Sequence, residues 1–260
     1  MSTTATRTAR FVHFSHLPLS IRLVFTLTLL VLGTGYLFAM IQVWEVHHGR
    51  DGNPMLSAED IRIAYSGNPE GTRLESSLQG PMRSMLPDSE RGTVMGWAAA
   101  DGSQATYEER IKPIIESRCL ACHDGSNPHL PNLGKWDDIN QLIQRDTGAS
   151  IATLVRVSHI HLFGITFIFF IVSSIFTHAY VRPLWMKCVI IAVPFLTILT
   201  DIFSWYLTKM VPGFAWVVII SGALMGMSFA AQFLISLYQM WLSSPPQEVL
   251  DSQGELPMLI

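Results

Sequence analysis

Charged side chains are scarce in this sequence: Asp, Glu, Lys and Arg make up 14% of 260 residues, where a soluble globular domain carries about a quarter. That deficit excludes an ordinary water-soluble domain. With 49% apolar residues, intrinsic disorder is excluded as well. A basic excess is also missing, since 17 Lys and Arg stand against 20 Asp and Glu. The clustered positive footprint of a nucleic-acid binder is therefore absent. Three cysteines are too few for a disulfide scaffold, and no internal repeat is visible.

What is present is a set of long stretches without charge. From Leu23 to Ile41 there is no Asp, Glu, Lys, Arg or His, a run of 19 residues, close to the ~20 needed to cross a hydrocarbon layer of ~30 Å. Three more such stretches follow late in the chain. Arg156 to Arg182 is interrupted only by His159, His161, His178 and Tyr180; Lys187 to Lys209 only by Asp201; Met210 to Pro245 by no acidic or basic residue. The spacing predicts transmembrane helices over 19–44, 156–181, 187–208 and 212–242. The fold class is then mainly α, a membrane protein of four transmembrane helices with a small helical domain, residues 45–155, inserted between helices 1 and 2. A cleaved signal peptide is disfavoured, because Phe38, Met40 and Gln42 stand where small residues would mark a cleavage site.

Arginine and lysine beside short loops set the expected orientation. Arg7, Arg10 and Arg22 precede the first span, and Arg182 and Lys187 flank the second-to-third loop. Residues 1–18 and the tail 243–260 are thus expected in the cytoplasm and the inserted domain in the periplasm of a bacterial inner membrane. Lys209 is the one dissenting charge.

The inserted segment from Glu45 to Arg156 holds 11 basic and 16 acidic residues, a balance that steers a partner with a basic face toward it. Its first part is rich in Gly, Pro and Ser, with short helices expected from Ser57 and Thr72, and is expected to wrap another core rather than form one. Thr106, with Glu109 three residues on, offers a capping box for a helix through YEERIKPIIESR. A further helix is expected over DDINQLIQR, followed by a turn at Asp146-Thr147-Gly148.

The helix after Thr106 runs into Cys119-Leu120-Ala121-Cys122-His123, a CxxCH sequence, the c-type haem attachment signature. Two thiols three positions apart on one helical turn suit the two haem vinyl groups, and the adjoining imidazole suits the iron. A zinc site would want a second ligand pair, and a thioredoxin-type CxxC a βαβ surround. Neither is found in the sequence.

The stretch YEERIKPIIESRCLACHDG, continuing into LPNLGKWDDINQLIQ, resembles the haem-binding part of membrane-anchored, single-haem bacterial c-type cytochromes, in which a Pro-Ile-hydrophobic helix leads into CxxCH. The resemblance covers roughly residues 106–145. It implies a cytochrome c-like domain with one haem c, held by Cys119 and Cys122 with His123 as proximal iron ligand, and electron transfer in the periplasm. Soluble relatives take a later methionine as distal ligand, but none occurs between His123 and Met186. The distal candidates are therefore Met82, Met85 and Met95 upstream, which favour a higher potential, or His159 and His161 at the start of the second span. His129, six residues past His123, is too close to reach the opposite haem face.

Nine histidines invite a second site. His47 and His48 end the first span on the level where His159 and His161 begin the second. The latter two lie about 200° apart around a helix and cannot share one metal. His47 or His48 paired with His161 would suit a b-type haem, and His178 with His13 or His16 a second one, although histidines at helix ends also occur simply as interface residues. Asp201, about two turns below Lys209, is expected to pair with Lys209, Arg156 or an outer histidine, or to accept a quinol proton as a catalytic group. Gly222, Gly226 and Ala230 form a small-residue stripe suited to close helix packing, and Cys188 is expected as a buried apolar filler. The sequence thus predicts an electron carrier more than an enzyme, partnered by membrane redox subunits, a soluble carrier or a quinone, and by the lipid bilayer. Its alternatives are a quinol:cytochrome oxidoreductase and an assembly or haem-sensing subunit.

Overall fold

The computed structural model describes residues 12–100, 102–128 and 130–254, so that Arg7, Arg10 and His129 lie outside the described residues. Among the described residues the fold is helical with no β-strand; Thr72 and Arg145 form an isolated antiparallel bridge. Four helices are long and apolar enough to cross a membrane: α1 (Leu19–His47), α8 (Ile151–Phe176), α9 (Leu184–Thr208) and α10 (Phe214–Trp241). Their 29, 26, 25 and 28 residues correspond to about 38–44 Å at 1.5 Å per residue, enough for the ~30 Å hydrocarbon layer with residues to spare. The chain is a helical membrane protein.

The chain divides into two compact units, one of Met1–Ala39, Val157–Ile202 and Ile219–Ile260, the other of Met40–Arg156 and Phe203–Val218. In the first, Phe14, Leu29, Phe169, Val172, Phe176 and Phe229 form an apolar core. Its helices are joined by polar contacts as well. Pro194 inside α9 has no N–H to give the Ile190 carbonyl four residues earlier. That carbonyl instead accepts from Ser228 Oγ and, at 3.0 Å, from Gln232 Nε2 of α10. Gln232 is fully buried and its Oε1 accepts from Ser173 Oγ of α8 at 2.9 Å. One amide thus connects three helices.

Several expectations need correction. The second span starts at Ile151 rather than 156, because Ser150 caps it, accepting from the Thr153 N–H at 3.1 Å. It stops at Phe176 rather than 181, in a turn closed by His178 N–H to Ile175. Helix α9 begins at Leu184, so Lys187 is a buried first-turn residue rather than a loop charge; its Nζ donates to the carbonyls of Thr177 and Ala179. Cys188, turned 100° from it, is exposed rather than buried. In the small-residue stripe only Gly226 meets a neighbour, the Tyr36 hydroxyl, while Gly222 faces open space and Ala230 is exposed. The buried face of α10 carries the polar row Ser221, Ser228, Gln232 and Ser236 beside Phe229 and Met240.

The second unit holds the helices between α1 and α8. Helices α2 (Ala58–Ser66) and α3 (Arg73–Gln79) start where expected, each with a complete capping box, Ser57 with Asp60 and Thr72 with Glu75. Helix α4 (Asp88–Ala100) was not expected, since Gly92 and Gly96 weaken it. Burial of Val94, Trp97 and Ala98 outweighs that cost. The early segment is therefore no mere wrapping: Leu74, Leu78, Leu86, Val94 and Trp97 make one core with Tyr107, Ile111, Ile115, Leu133 and Ile139.

A second correction concerns the helix before the cysteines. Ser103, not Thr106, is its N-cap, its hydroxyl facing the Thr106 N–H. Helix α5 (Gln104–Thr106) continues through a π-helical stretch, Tyr107–Ile111, into α6 (Lys112–Arg118). The wide turn places both Tyr107 and Ile111 in the core. Helix α7 (Trp136–Leu142) starts one residue before the expected DDINQLIQR segment and stops three residues before its end.

Asp146 closes this unit. Its carboxylate is buried and accepts from the N–H of Asn68 and Gly148 and from Ser76 Oγ. There the backbone of Gly67 (φ +84°) passes that of Gly148 (φ +69°) so closely that a Cβ on either would collide with the other strand of chain. Lys209, at the end of α9, donates to the carbonyls of Tyr65, Thr147 and Ala149 at 2.8–2.9 Å. All three ammonium hydrogens are used on this loop crossing, so the expected Lys209–Asp201 ion pair does not form.

Candidate functional site

Cys119 caps the C-terminal end of α6, its N–H donating to Ile115 at 2.8 Å. The chain then tightens into a turn in which the N–H groups of Cys122 and His123 both donate to the Cys119 carbonyl, at 3.1 and 3.0 Å. The two cysteines therefore flank one closed turn at a helix end. Cys119 is half-buried against the core of the second unit, and Cys122 is exposed. Burial pushes the Cys119 thiol up, and the Glu90 carboxylate adds to the effect. The sulfur thus stays a neutral thiol near pH 7.

His123 is held from the other side. Its Nδ1 lies 3.0 Å from the Pro131 carbonyl. A carbonyl only accepts, so Nδ1 carries the hydrogen and Nε2 keeps its lone pair. The loop that brings Pro131 back is closed by Leu133 N–H to the His123 carbonyl at 2.9 Å and by Tyr107 Oη donating to the Leu133 carbonyl at 3.3 Å. Gly125 sits at φ +90°, where a Cβ would strike the Asn132 amide, so this turn needs glycine. Beneath the loop, Tyr107 packs against Trp136 and Trp97 at centroid distances of 5.2 and 5.7 Å. Arg118 ties the end of α6 to α4 by a two-pronged contact with Glu90, at 3.0 and 3.1 Å. Being half-exposed, that pair contributes position more than stability.

The donor chemistry fits a c-type haem. Among the described residues no three His, Cys, Asp or Glu converge as the ligand set of a bare metal ion. A porphyrin brings four nitrogens of its own and asks the protein for axial ligands only.

The distal candidates divide. Met82 and Met95 pack against the same core as Cys119, whereas Met85 is 60% exposed on a surface turn. His159 is exposed, edge-on to Phe163, and His161 directs Nδ1 at the Val157 carbonyl; both belong to the first unit. The remaining histidines have separate surroundings. His47 faces the Tyr65 ring, and His48 stacks on Trp44 while its Nδ1 donates to the Trp44 carbonyl. His13 has both ring nitrogens engaged, Nδ1 with Ser15 and Nε2 with Gln239, so of the two partners considered for His178 in an inner b-type haem, His13 has no free nitrogen. His178 directs Nδ1 at the Val12 carbonyl and lies between the rings of Phe14 and Phe25. Asp201 is buried on α9.

Sequence reasoning placed Asp146 only in a turn, without its buried carboxylate contacts, and missed Asp60 and Gln232. Asp60 is fully buried and receives the N–H groups of Asp51 and Ser57. A carboxylate three residues after Ser57 was a readable sign of that cap.

Residues 146–247 match a protein family described as a transmembrane helical domain. That match begins at the buried Asp146 and takes in α8, α9 and α10, leaving the CxxCH turn outside it. No curated protein and no solved structure matches this chain.

Proposed function

We propose that this chain is a membrane-bound cytochrome with one covalently attached haem c, transferring electrons on the periplasmic side of a bacterial inner membrane as a subunit or tethered partner of a larger redox complex. The observation that carries the reading is the His123 Nδ1–Pro131 hydrogen bond at 3.0 Å. It fixes the tautomer and the ring direction, as second-shell partners of metal-bound histidines do, and does so next to two free thiols on one turn. A thiol-redox reading leaves that bond without a role; a zinc site would use it equally but wants further ligands, and among the described residues no three His, Cys, Asp or Glu converge.

When bound, the haem supplies a one-electron iron couple. Cys119 and Cys122 would hold it through their sulfurs, and His123 Nε2, its lone pair free, would bind the iron. Met82 or Met95, which pack against the same core as Cys119, would serve as the second iron-binding side chain more readily than exposed Met85. Cys122, on the exposed side of the turn, marks the edge from which a partner is reached. The inserted segment is acidic by the count of its side chains, which suits a donor or acceptor with a basic face.

The test is a pyridine haemochrome spectrum with a haem count on the full-length protein, expressed with a c-type maturation system. One c-type haem per chain, retained on a denaturing gel and lost in Cys119→Ser/Cys122→Ser, is expected. Wild-type protein without covalent haem would overturn the reading, and a further b-type band would revive the histidine-paired site in the helices.

A further inference from the structure

A cavity of about 320 Å³ opens beside the C-terminal end of α1, lined among others by Glu45, His48, Arg83, Ser84, Asp88 and Arg91. All of these residues belong to the second unit, and none belongs to the CxxCH turn. The volume falls at the lower end of the range of small-ligand sites. Four charges line it, two of each sign, and two of them satisfy each other: Arg91 Nη2 contacts Asp88 Oδ1 at 2.6 Å. Arg91 also donates through Nη1 to the Arg83 carbonyl at 2.9 Å. Among the described residues the guanidinium of Arg83 and the carboxylate of Glu45 have no hydrogen-bond or ion-pair partner. The cavity therefore presents one uncompensated positive and one uncompensated negative group. His48 adds an acceptor, since its Nδ1 hydrogen is spent on the Trp44 carbonyl and Nε2 keeps a lone pair.

The level of the cavity matters as much as its charges. The stretch of α1 free of charge and of side-chain amides reaches Ile41, before Gln42, and Glu45 lies four residues further, or about 6 Å along the helix. The headgroup layer on each side of the hydrocarbon is about 5–8 Å thick. Trp44, partly exposed and stacked on His48, is the residue type that settles at that level. A ligand complementary to this site carries a phosphate and a hydrogen-bonding ammonium and is found among headgroups.

We propose that this cavity binds the headgroup of a zwitterionic phospholipid with a primary ammonium, phosphatidylethanolamine in class, with its phosphate on Arg83 and its ammonium between Glu45 and His48. A phosphatidylcholine headgroup has no N–H to donate to either acceptor. A phosphatidylglycerol headgroup has no cation for Glu45. The proposal does not depend on the haem.

Native mass spectrometry on the full-length protein, delipidated and incubated in turn with micelles containing dioleoyl-phosphatidylethanolamine, -phosphatidylcholine or -phosphatidylglycerol, tests it. One charge-assisted contact is worth about tenfold or more in affinity. The ethanolamine lipid is expected to be retained about tenfold more than the other two. Glu45→Gln should remove that preference, Arg83→Gln should lower retention of all three lipids, and Arg83→Lys should restore most of it. Equal retention of the three lipids by the wild type would overturn the proposal. So would competition by soluble glycerophosphoethanolamine at the affinity of the lipid, or Arg83→Gln losing covalent haem while keeping its lipid. Circular dichroism of each variant confirms helical content; Glu45→Gln, at an exposed position, keeps the test open should Arg83→Gln misfold.

Discussion

Replacing Gln232 with leucine tests how the membrane helices are held together. The side chain is fully buried, donates to the Ile190 carbonyl at 3.0 Å and accepts from Ser173 at 2.9 Å. Leucine is close in volume, so the cavity cost is small and the change removes two interhelical hydrogen bonds. Such bonds average about 0.6 kcal/mol each in membrane proteins and reach about 1.7, giving an expected loss of about 1–3 kcal/mol. The assay is unfolding of the full-length protein by titration with dodecyl sulfate in mixed micelles, followed by far-ultraviolet circular dichroism. The sharper form is a double-mutant cycle with Pro194→Ala. Alanine restores an N–H four residues after Ile190, so the carbonyl no longer depends on α10. In that background Gln232→Leu should cost about half as much, because only the Ser173 contact is lost. Equal costs in the two backgrounds would refute the argument that the proline creates the acceptor which Gln232 serves.

Other outcomes follow from single features. Gly148→Ala should destabilise the second unit by at least about 2 kcal/mol, because φ of +69° adds strain to a backbone collision; thermal unfolding checks it, with Gly92→Ala, where a Cβ meets open space inside α4, as a control of opposite sign that stabilises by up to about 1 kcal/mol. Lys209→Met should cost about 1–2 kcal/mol and open the segment around Thr147 to hydrogen exchange, since three carbonyls lose their donor. His13 has its pKa held below 6.5, chiefly by burial, with the hydrogen bond to Gln239 opposing. A base whose folded pKa is lowered binds fewer protons folded than unfolded, so its packing is intact above about pH 6.5 and weakens as pH falls through and below that value. Hydrogen exchange of residues 12–17 at pH 5 against pH 7.5 should show faster opening at the lower pH, and His13→Gln should remove the difference.

What the sequence made legible is local. Ser57 and Thr72 were readable as caps because each carries an acid three residues on, and the capping box is a four-residue device. The four spans were readable because absence of charge over about 20 residues has one common cause. The turn at Cys119–His123 is local too, closed by the N–H groups of Cys122 and His123 on the Cys119 carbonyl. The errors are equally physical. Thr106 has Glu109 three residues on, yet Ser103 caps the helix, since starting one turn earlier lets the π-helical stretch deliver both Tyr107 and Ile111 to the core. Helix α4 was hidden by two glycines whose propensity cost is outweighed only by contacts with residues far along the chain.

The least legible features are those whose partner is distant. Asp146 meets Asn68 across 78 positions and Ser76 across 70, and Gln232 meets Ile190 across 42. A scan for charge passes over Gln232 because an amide is neutral, although within a membrane an unsatisfied carbonyl is the costly group and an amide satisfies it. The same distinction separates Lys187 and Lys209 from the loop charges for which they were counted. Each delivers its ammonium to backbone carbonyls at a helix end, where positive charge complements the helix dipole. Their positions therefore report how α8, α9 and the loop crossing are closed, and the expected orientation rests on Arg7, Arg10, Arg22 and Arg182. Arg182 pairs with Glu248 at 3.1 Å on an exposed surface, and acidic partners weigh little in that expectation because it counts Lys and Arg rather than net charge; Arg22 lies over Trp241 and is bonded to the Met240 carbonyl, so it is held at the end of α10 beside the tail expected in the cytoplasm.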